Sequence, residues 1–171
     1  MNTAELKTIT KEQIPAKAKT LTPNDIQLLI NTLTEKDDKL RYNAFLLLQA
    51  HSKEAPTVYP HWDTLAIKLT NDNSYQRSLG VMLIAENIRW DKDDKFAKVI
   101  GKFFACCNDE KFITTRQTIQ ALATITQTTS KYDQEIKDNL TKMTFSGYKE
   151  NQRQLLNKDK AATLKVLNNK K

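Results

Sequence analysis

The side chains with the widest chemical scope lie between positions 62 and 91, where aromatic residues alternate with carboxylates and an arginine. They are Trp62, Asp63, Tyr75, Arg77, Glu86, Asn87, Trp90 and Asp91. Aromatic walls around a charged floor could form a binding pocket, or the same side chains could pack as a polar network inside a core. The core interpretation is favoured, with Trp62 and Trp90 packed at a seam between structural units.

Within this set, Glu86 is the carboxylate that directly follows the most apolar run of the chain, which extends from Leu79 to Ala85. A carboxylate that is buried in such surroundings must be paired with a donor or a cation. Arg41 or Arg116, from the flanking segments, is a candidate partner.

Patterns that would indicate catalysis or metal binding are weak. His51 and His61 are separated by a proline-flanked turn, and two ligands make a poor metal site. Cys106 and Cys107 are adjacent, so a bridge between them would be strained, and we expect two buried or half-buried thiols. The three glycines cannot form a phosphate-binding loop or a dinucleotide fingerprint. We therefore predict no catalytic residue, no metal, no cofactor and a protein that is not an enzyme.

Four arginines recur at nearly even intervals, and they indicate how these side chains are positioned. Arg41, Arg77, Arg116 and Arg153 are separated by steps of 36, 39 and 37 residues. Three of them follow an acidic turn and open an apolar run. A period in the high thirties is the length of one helix pair with its turns, which predicts a stacked helical array.

The apolar spacing predicts eight helices in four pairs. Low glycine and proline content and the lack of period-two alternation favour an all-α fold. Thr22 and Pro23 mark a helix start, because threonine caps helices and proline suits their first position. Residues 1–21 have weak periodicity and are interpreted as a loose or partly helical N-terminal arm. The expected helices cover about 22–36, 38–52, 62–69, 74–89, 96–104, 113–125, 132–143 and 148–167.

Residues 22–171 resemble the HEAT-repeat family, whose helix pairs stack into curved solenoids. Arg41 with Ala44, and Arg77 with Gly80, match the family's basic residue followed by a small one, and Arg116 with Ala121 matches loosely. The resemblance implies a right-handed α–α superhelix and a scaffold or binding module, with the second helix of each pair on the concave side. One bacterial branch of such proteins excises alkylated bases from DNA, and this chain resembles that branch in fold alone.

In arrays of this kind, an arginine and an aspartate from adjacent turns commonly join successive repeats. A guanidinium group suits that bridging because it donates several hydrogen bonds in a fixed plane. The four arginines are therefore interpreted as structural links in preference to ligand-binding groups, although the second possibility stays open.

The net charge of +7 is located at the two ends of the chain. Residues 1–22 carry four lysines and two glutamates, residues 149–171 carry seven basic and two acidic residues, and residues 23–148 carry 16 of each. A groove that followed nucleic-acid phosphates would place its excess charge in the body, so a nucleic-acid partner is the second choice. The basic C-terminal helix could attract such a partner, or it could solvate a terminal repeat.

We predict non-catalytic recognition of another macromolecule, with a protein as the first choice, on a rigid curved surface. No apolar run approaches the roughly 20 residues that cross a bilayer, and residues 1–11 contain no apolar signal segment, so a cytoplasmic location is expected. The sequence does not indicate an oligomeric state. The candidate binding residues are Arg41, Tyr42, Trp62, Gln76, Arg77, Glu86, Asn87, Trp90, Arg116 and Gln117.

Overall fold

The computed structural model describes residues 1–170 and is helical throughout. Helices cover 78% of the chain, and the described residues contain no β-strand, which confirms the all-α prediction. None of these helices combines the length and apolar character that a membrane crossing requires. Ten α-helices are present in residues 1–170: α1 Thr3–Thr8, α2 Ile14–Ala18, α3 Pro23–Thr32, α4 Asp38–Ser52, α5 Trp62–Ile67, α6 Ser74–Asn87, α7 Lys95–Ala105, α8 Phe112–Thr128, α9 Asp133–Lys142 and α10 Glu150–Asn169.

Short polar side chains start the helices where the sequence predicted them. The Thr22 hydroxyl accepts a hydrogen bond from the backbone N–H of Asp25, and the Asp25 carboxylate accepts one from the N–H of Thr22. The side chains of Asp37 and Asn73 likewise accept hydrogen bonds from backbone N–H groups in the first turns of α4 and α6. Each cap pairs N–H groups that the first helical turn leaves free.

The N-terminal segment is packed more closely than its weak periodicity suggested. Leu6, Ile9 and Ile14 are buried, and both α1 and α2 pack against α4. The buried Asn43 amide donates hydrogen bonds to the carbonyl oxygens of Leu6, at 2.8 Å, and Ile9, at 3.1 Å. One side chain of α4 thus fixes the irregular backbone between two short helices.

Four helices form the central stack. α4 packs on α6, α6 on α8, and α8 on α10, with the last two contacts the most extensive of the fold. α3, α5 and α9 pack on α4, α6 and α10 respectively. The exception is α7, which reaches α8 mainly through the 3₁₀ turn at Cys106–Asn108. The apolar run of α6 is buried on nearly every side, as expected for the helix at the centre of the domain.

Gly80 allows α5 and α6 to approach closely. A Cβ atom at this position would lie 3.0 Å from the Lys68 Cβ and 3.2 Å from the Leu65 carbonyl oxygen. Both atoms belong to, or sit directly on, the neighbouring backbone, so neither can rotate away. The helix interior therefore tolerates glycine here because the contact requires it.

Two alanine substitutions should have opposite effects for this reason. Gly80→Ala should lower the free energy of unfolding by about 1–3 kcal/mol, because the added methyl group overpacks the α5–α6 contact. Gly101→Ala, at an exposed site of α7 where a Cβ meets no described atom within 4 Å, should raise it by about 0.5–1 kcal/mol. Urea denaturation of both variants measures the difference. Stabilisation by Gly80→Ala would contradict the packing argument.

Lys68 is a buried amine at the same contact, with only 5% of its surface exposed. Its Nζ donates to Gln76 Oε1 at 2.5 Å, and Gln76 Nε2 donates to the Leu33 carbonyl oxygen at 2.7 Å. Burial lowers the pKa of Lys68 below its usual 10.5, since the charged form loses its hydration.

This shift gives stability a specific pH dependence. Between the lowered pKa of folded Lys68 and the value of 10.5 in the unfolded chain, the unfolded chain binds more protons, so the free energy of unfolding should rise with pH. Lys68→Met should remove that rise, and the exposed substitution Lys137→Met should retain it. Denaturant titrations from about pH 7 to about pH 10.5 measure the slope. If the free energy of unfolding has the same pH dependence in the wild type and in Lys68→Met, the lowered pKa of Lys68 is ruled out as its cause.

Candidate functional site

An open groove lies across the stacked helices α4, α6 and α8. It encloses about 590 Å³. Most of its exposed lining is apolar, and two large side chains project from its margins, with Tyr42 41% exposed and Ile113 56% exposed. The lining residues are Tyr42, Phe45, Leu46, Gln49, Ser74, Tyr75, Ser78, Leu79, Met82, Lys111, Ile113, Thr114 and Gln117.

A smaller cavity of about 130 Å³ continues the groove toward the C-terminal ends of the same helices. It shares Gln49, Met82 and Gln117 with the larger one and adds the Glu86 carboxylate and polar side chains of α8. From Tyr75 to Glu86, α6 advances about 16 Å at 1.5 Å per residue. The groove is therefore apolar at one end and rich in amide groups at the other.

The groove residues are in register with the periodic arginines. The positions one, five and eight residues after Arg41, Arg77 and Arg116 all line one of the two cavities. The corresponding positions after Arg153, which are Gln154, Lys158 and Ala161, are exposed. Equivalent positions of three consecutive helices thus form one face. In the same order, the nine lining residues are Tyr42, Ser78 and Gln117; Leu46, Met82 and Ala121; and Gln49, Ala85 and Thr124.

Three of the four arginines connect their own helix to the following one in the stack. Arg77 donates to both carboxylate oxygens of Asp109, through Nε at 2.5 Å and Nη2 at 2.8 Å. This contact raises the pKa of the Arg77 guanidinium. Arg116 Nε donates to Asp159 of α10 at 2.7 Å, and the Arg41 guanidinium lies 4.3 Å from the centre of the Tyr75 ring.

Arg153 differs because it pairs locally with Glu150, one turn away on the same helix. It is the last of the series and has no following helix to reach among residues 1–170. Arg77 thus pairs with an aspartate of the next turn, as the structural interpretation expected, Arg41 and Arg116 reach the next helix by other contacts, and Arg153 makes only a local pair. The role of Arg41, Arg77 and Arg116 in the site is to position the groove-lining helices.

Glu86 is buried, so it needs a partner, but neither candidate, Arg41 or Arg116, is that partner. The ammonium of Lys53 and the guanidinium of Arg89 each lie 3.8 Å from its carboxylate oxygens, and Gln49 Nε2 donates to it at 3.3 Å. Both candidates fail because Arg41 and Arg116 begin their helices, whereas Glu86 lies near the end of α6. The nearby cations therefore come from the C-terminal ends of α4 and α6.

Of the remaining predicted residues, Trp62, Gln76 and Asn87 are buried, and Trp90 is partly buried. Trp62 is buried and stacks edge-on with Tyr59, and the Asn87 amide donates to Ser52 Oγ at 3.0 Å. Trp90 Nε1 donates to the Ser52 carbonyl oxygen at 2.7 Å. The buried Gln76 bonds to Lys68 and Leu33, away from the groove. Of the predicted binding residues, only Tyr42, Glu86 and Gln117 line the groove or its continuation.

The histidines and thiols do not assemble into a reactive site. His51 is buried against the Ala18 carbonyl oxygen, and residues 1–170 contain no cluster of three or more potential metal ligands. Burial raises the pKa of Cys106 to about 11 and raises that of Cys107 further. Both thiols are thus protonated near neutral pH, which fits their interpretation as packing groups.

Sequence reasoning included Tyr75 in a possible pocket but missed most of the other apolar groove residues, among them Phe45, Leu46, Met82 and Ile113. A signal for them exists, because Tyr42, Phe45, Leu46 and Gln49 follow an i, i+3, i+4, i+7 spacing along α4. α4 and α6 each carry one set of side chains in the core and a second stripe toward the groove. Only the second stripe remains partly exposed, and sequence alone does not distinguish the two.

No protein-family model matches the sequence, and no curated protein matches it either. The chemistry of the groove must therefore be interpreted from its own residues. It can bury apolar side chains on Phe45, Leu46 and Met82. Gln117 Oε1, which belongs to a lining residue, is buried and has no hydrogen-bond partner in the described part of the chain.

Loss of the Arg77–Asp109 contact should affect stability more than loss of an exposed ion pair. Asp109→Asn should lower the free energy of unfolding by roughly 2–4 kcal/mol, because it leaves the largely buried guanidinium without its counter-charge. Glu150→Gln, in the exposed pair with Arg153, should cost less than about 1 kcal/mol. Guanidinium chloride denaturation measures both. Similar small losses would contradict a structural role for Arg77.

Proposed function

We propose that this chain is a HEAT-like module that binds another protein through the α4–α6–α8 groove and performs no catalysis. The observation that carries the proposal is the apolar groove formed by equivalent positions of three consecutive stacked helices. In this proposal, residues 22–171 form four helix pairs wound into a right-handed superhelix, with α4, α6, α8 and α10 on its concave side. The N-terminal segment covers the first pair, and the protein acts in the cytoplasm.

The proposed mechanism is binding on a pre-formed surface. The contacts of Arg41, Arg77 and Arg116 restrict sliding of the stacked helices, so the lining side chains are held at fixed spacing. A partner then binds without having to order this surface first, and association loses less conformational entropy. The exposed apolar groups at the margin, Tyr42 and Ile113, are suited to contact the partner because their burial would release water from apolar surface.

Nucleic-acid binding through the basic C-terminal helix has less support. Lys160 donates to the carbonyl oxygens of Thr141 and Met143, and Lys170 lies 3.1 Å from the Asp133 carboxylate. These two charges serve contacts between α9 and α10. Lys158 and Lys165 are exposed, and Lys171 lies outside the described residues, so the number of lysines available for phosphate contacts is small.

Base excision also has less support from the arrangement of the residues. Such chemistry would need a carboxylate and aromatic walls that face one open pocket. Trp62 is buried, Asp63 is exposed, and Glu86 is surrounded by Lys53, Arg89 and Gln49. We therefore favour recognition over enzymatic activity.

Affinity capture with groove variants tests protein binding. Tyr42→Ser combined with Ile113→Ser removes exposed apolar area from the groove, and Ile67→Ser removes a comparable group, 72% exposed, from α5. We expect a partner that is retained by the wild type and by Ile67→Ser to be recovered at least about tenfold less with the double variant. Quantitative mass spectrometry of the eluates measures recovery. Equal recovery with all three proteins would exclude the groove as the binding surface.

A further inference from the structure

The charged groups that face solvent around the groove are mainly basic. Lys111 lines the larger cavity with 61% of its side chain exposed, and the Lys11 ammonium lies 5.7 Å from the centre of the Tyr42 ring. At the other end, 53% of the Lys53 side chain and 32% of the Arg89 side chain are exposed, whereas only 7% of the Glu86 side chain is. A guest therefore meets cations at both ends of the groove.

Acidic groups offset only part of this charge. Glu110 lies 3.5 Å from the Lys111 ammonium and is largely exposed. Glu86 is shared between two cations, and its low exposure leaves it little direct contact with solvent. Asp38, whose side chain is 89% exposed, pairs with Arg41. The electrostatic preference at the groove margins is thus for a negatively charged guest.

The shape of the groove favours a helical guest. Its walls are side chains of helices, and the described residues offer no strand edge to which an extended peptide could add. The distance of about 16 Å from Tyr75 to Glu86 equals three turns of an α-helix. Apolar side chains at i and i+7 of one guest helix that runs along α6 could therefore contact Ile113 near one end and, further along, Leu46 and Met82, which lie side by side on α4 and α6.

From this combination we propose that the occupant of the groove is an acidic amphipathic α-helix of a partner protein. Its apolar face lies on the floor between Tyr42 and Ile113. Its glutamate or aspartate side chains flank that face and approach Lys111 and Lys11 at one end, and Lys53 and Arg89 at the other. The proposal rests on the proposed function and specifies the partner segment that this function would recognise.

Synthetic peptides test the proposal directly. Two alanine-based amphipathic peptides of about 18 residues share one leucine face and carry either glutamate or lysine at the flanking positions. A third peptide has the composition of the glutamate peptide in a scrambled order that has no apolar face. Fluorescence anisotropy with the full chain measures the affinity of each.

We expect the glutamate peptide to bind more tightly than the lysine peptide, and the scrambled peptide to bind most weakly. Ile113→Ser should weaken binding of the glutamate peptide about five- to tenfold, whereas Ile67→Ser should leave it unchanged. Lys111→Glu should weaken it about threefold and Lys137→Glu, which changes the net charge equally, should not. High salt should reduce the difference between the two amphipathic peptides.

Several results would overturn the proposal. They are equal affinity for the glutamate and lysine peptides, preference for the lysine peptide, tight binding of the scrambled peptide, and insensitivity to Ile113→Ser. A wild-type dimer that Ile113→Ser converts to a monomer would identify the occupant as a second copy of the chain. If a partner is captured through the groove but neither amphipathic peptide binds, the helical guest is wrong and the proposed function stands. If a partner is captured equally well by the groove variants, both the helical guest and the proposed function are wrong.

Discussion

The contact between Arg77 and Asp109 sets the position of the central helices relative to one another. While Nε and Nη2 bond to Asp109, Nη1 of the same guanidinium bonds to the carbonyl oxygens of Asn71, at 2.6 Å, and Asp72, at 2.9 Å. One side chain thus joins the turn before α6 to the turn before α8. Arginine suits this position because it alone presents several donors in a rigid plane without losing its charge.

The groove results from this relative position of the helices and from the sizes of the neighbouring side chains. Ser78 and Thr114, which lie where α6 meets α8, are small enough for their hydroxyl groups to bond at 3.0 Å. Larger side chains stand on either side, with Tyr42 on α4 and Ile113 on α8. Small residues at the seam and large residues at the margins leave a depression that the chain does not fill with its own atoms.

Much of the helical framework could be predicted from sequence, because its signals are local. Thr22 with Pro23, Asp37 and Asn73 start helices through hydrogen bonds within one turn, and the starts were therefore identifiable. The close packing of the N-terminal segment could not be predicted in this way, because it depends on Asn43, which is distant in sequence. The four helix pairs and the superhelix remain predictions beyond the helical content.

The candidate site was less predictable, because it depends on which side of each helix meets its neighbour. The periodicity of the arginines was visible, but their contacts with Asp109, Asp159 and Tyr75 are made between segments more than 30 residues apart. The same limit explains the wrong partners for Glu86. Arg41 and Arg116 have the required charge, but they lie near the N-terminal ends of their helices, whereas Glu86 lies near the C-terminal end of α6. The distance between them becomes clear only when the relative direction of the three helices is known.

The most direct test of the groove is whether the lining side chains of α4, α6 and α8 lie close together on one surface in solution. Of the three methionines, only Met82 lines the groove, so its methyl NMR signal reports on this site. Spin labels can be attached separately through Tyr42→Cys and Ile113→Cys, since the native thiols are buried. The structure requires each label to broaden the Met82 signal strongly. A Met82 signal that keeps its full intensity with either label would contradict the groove and the function proposed for it.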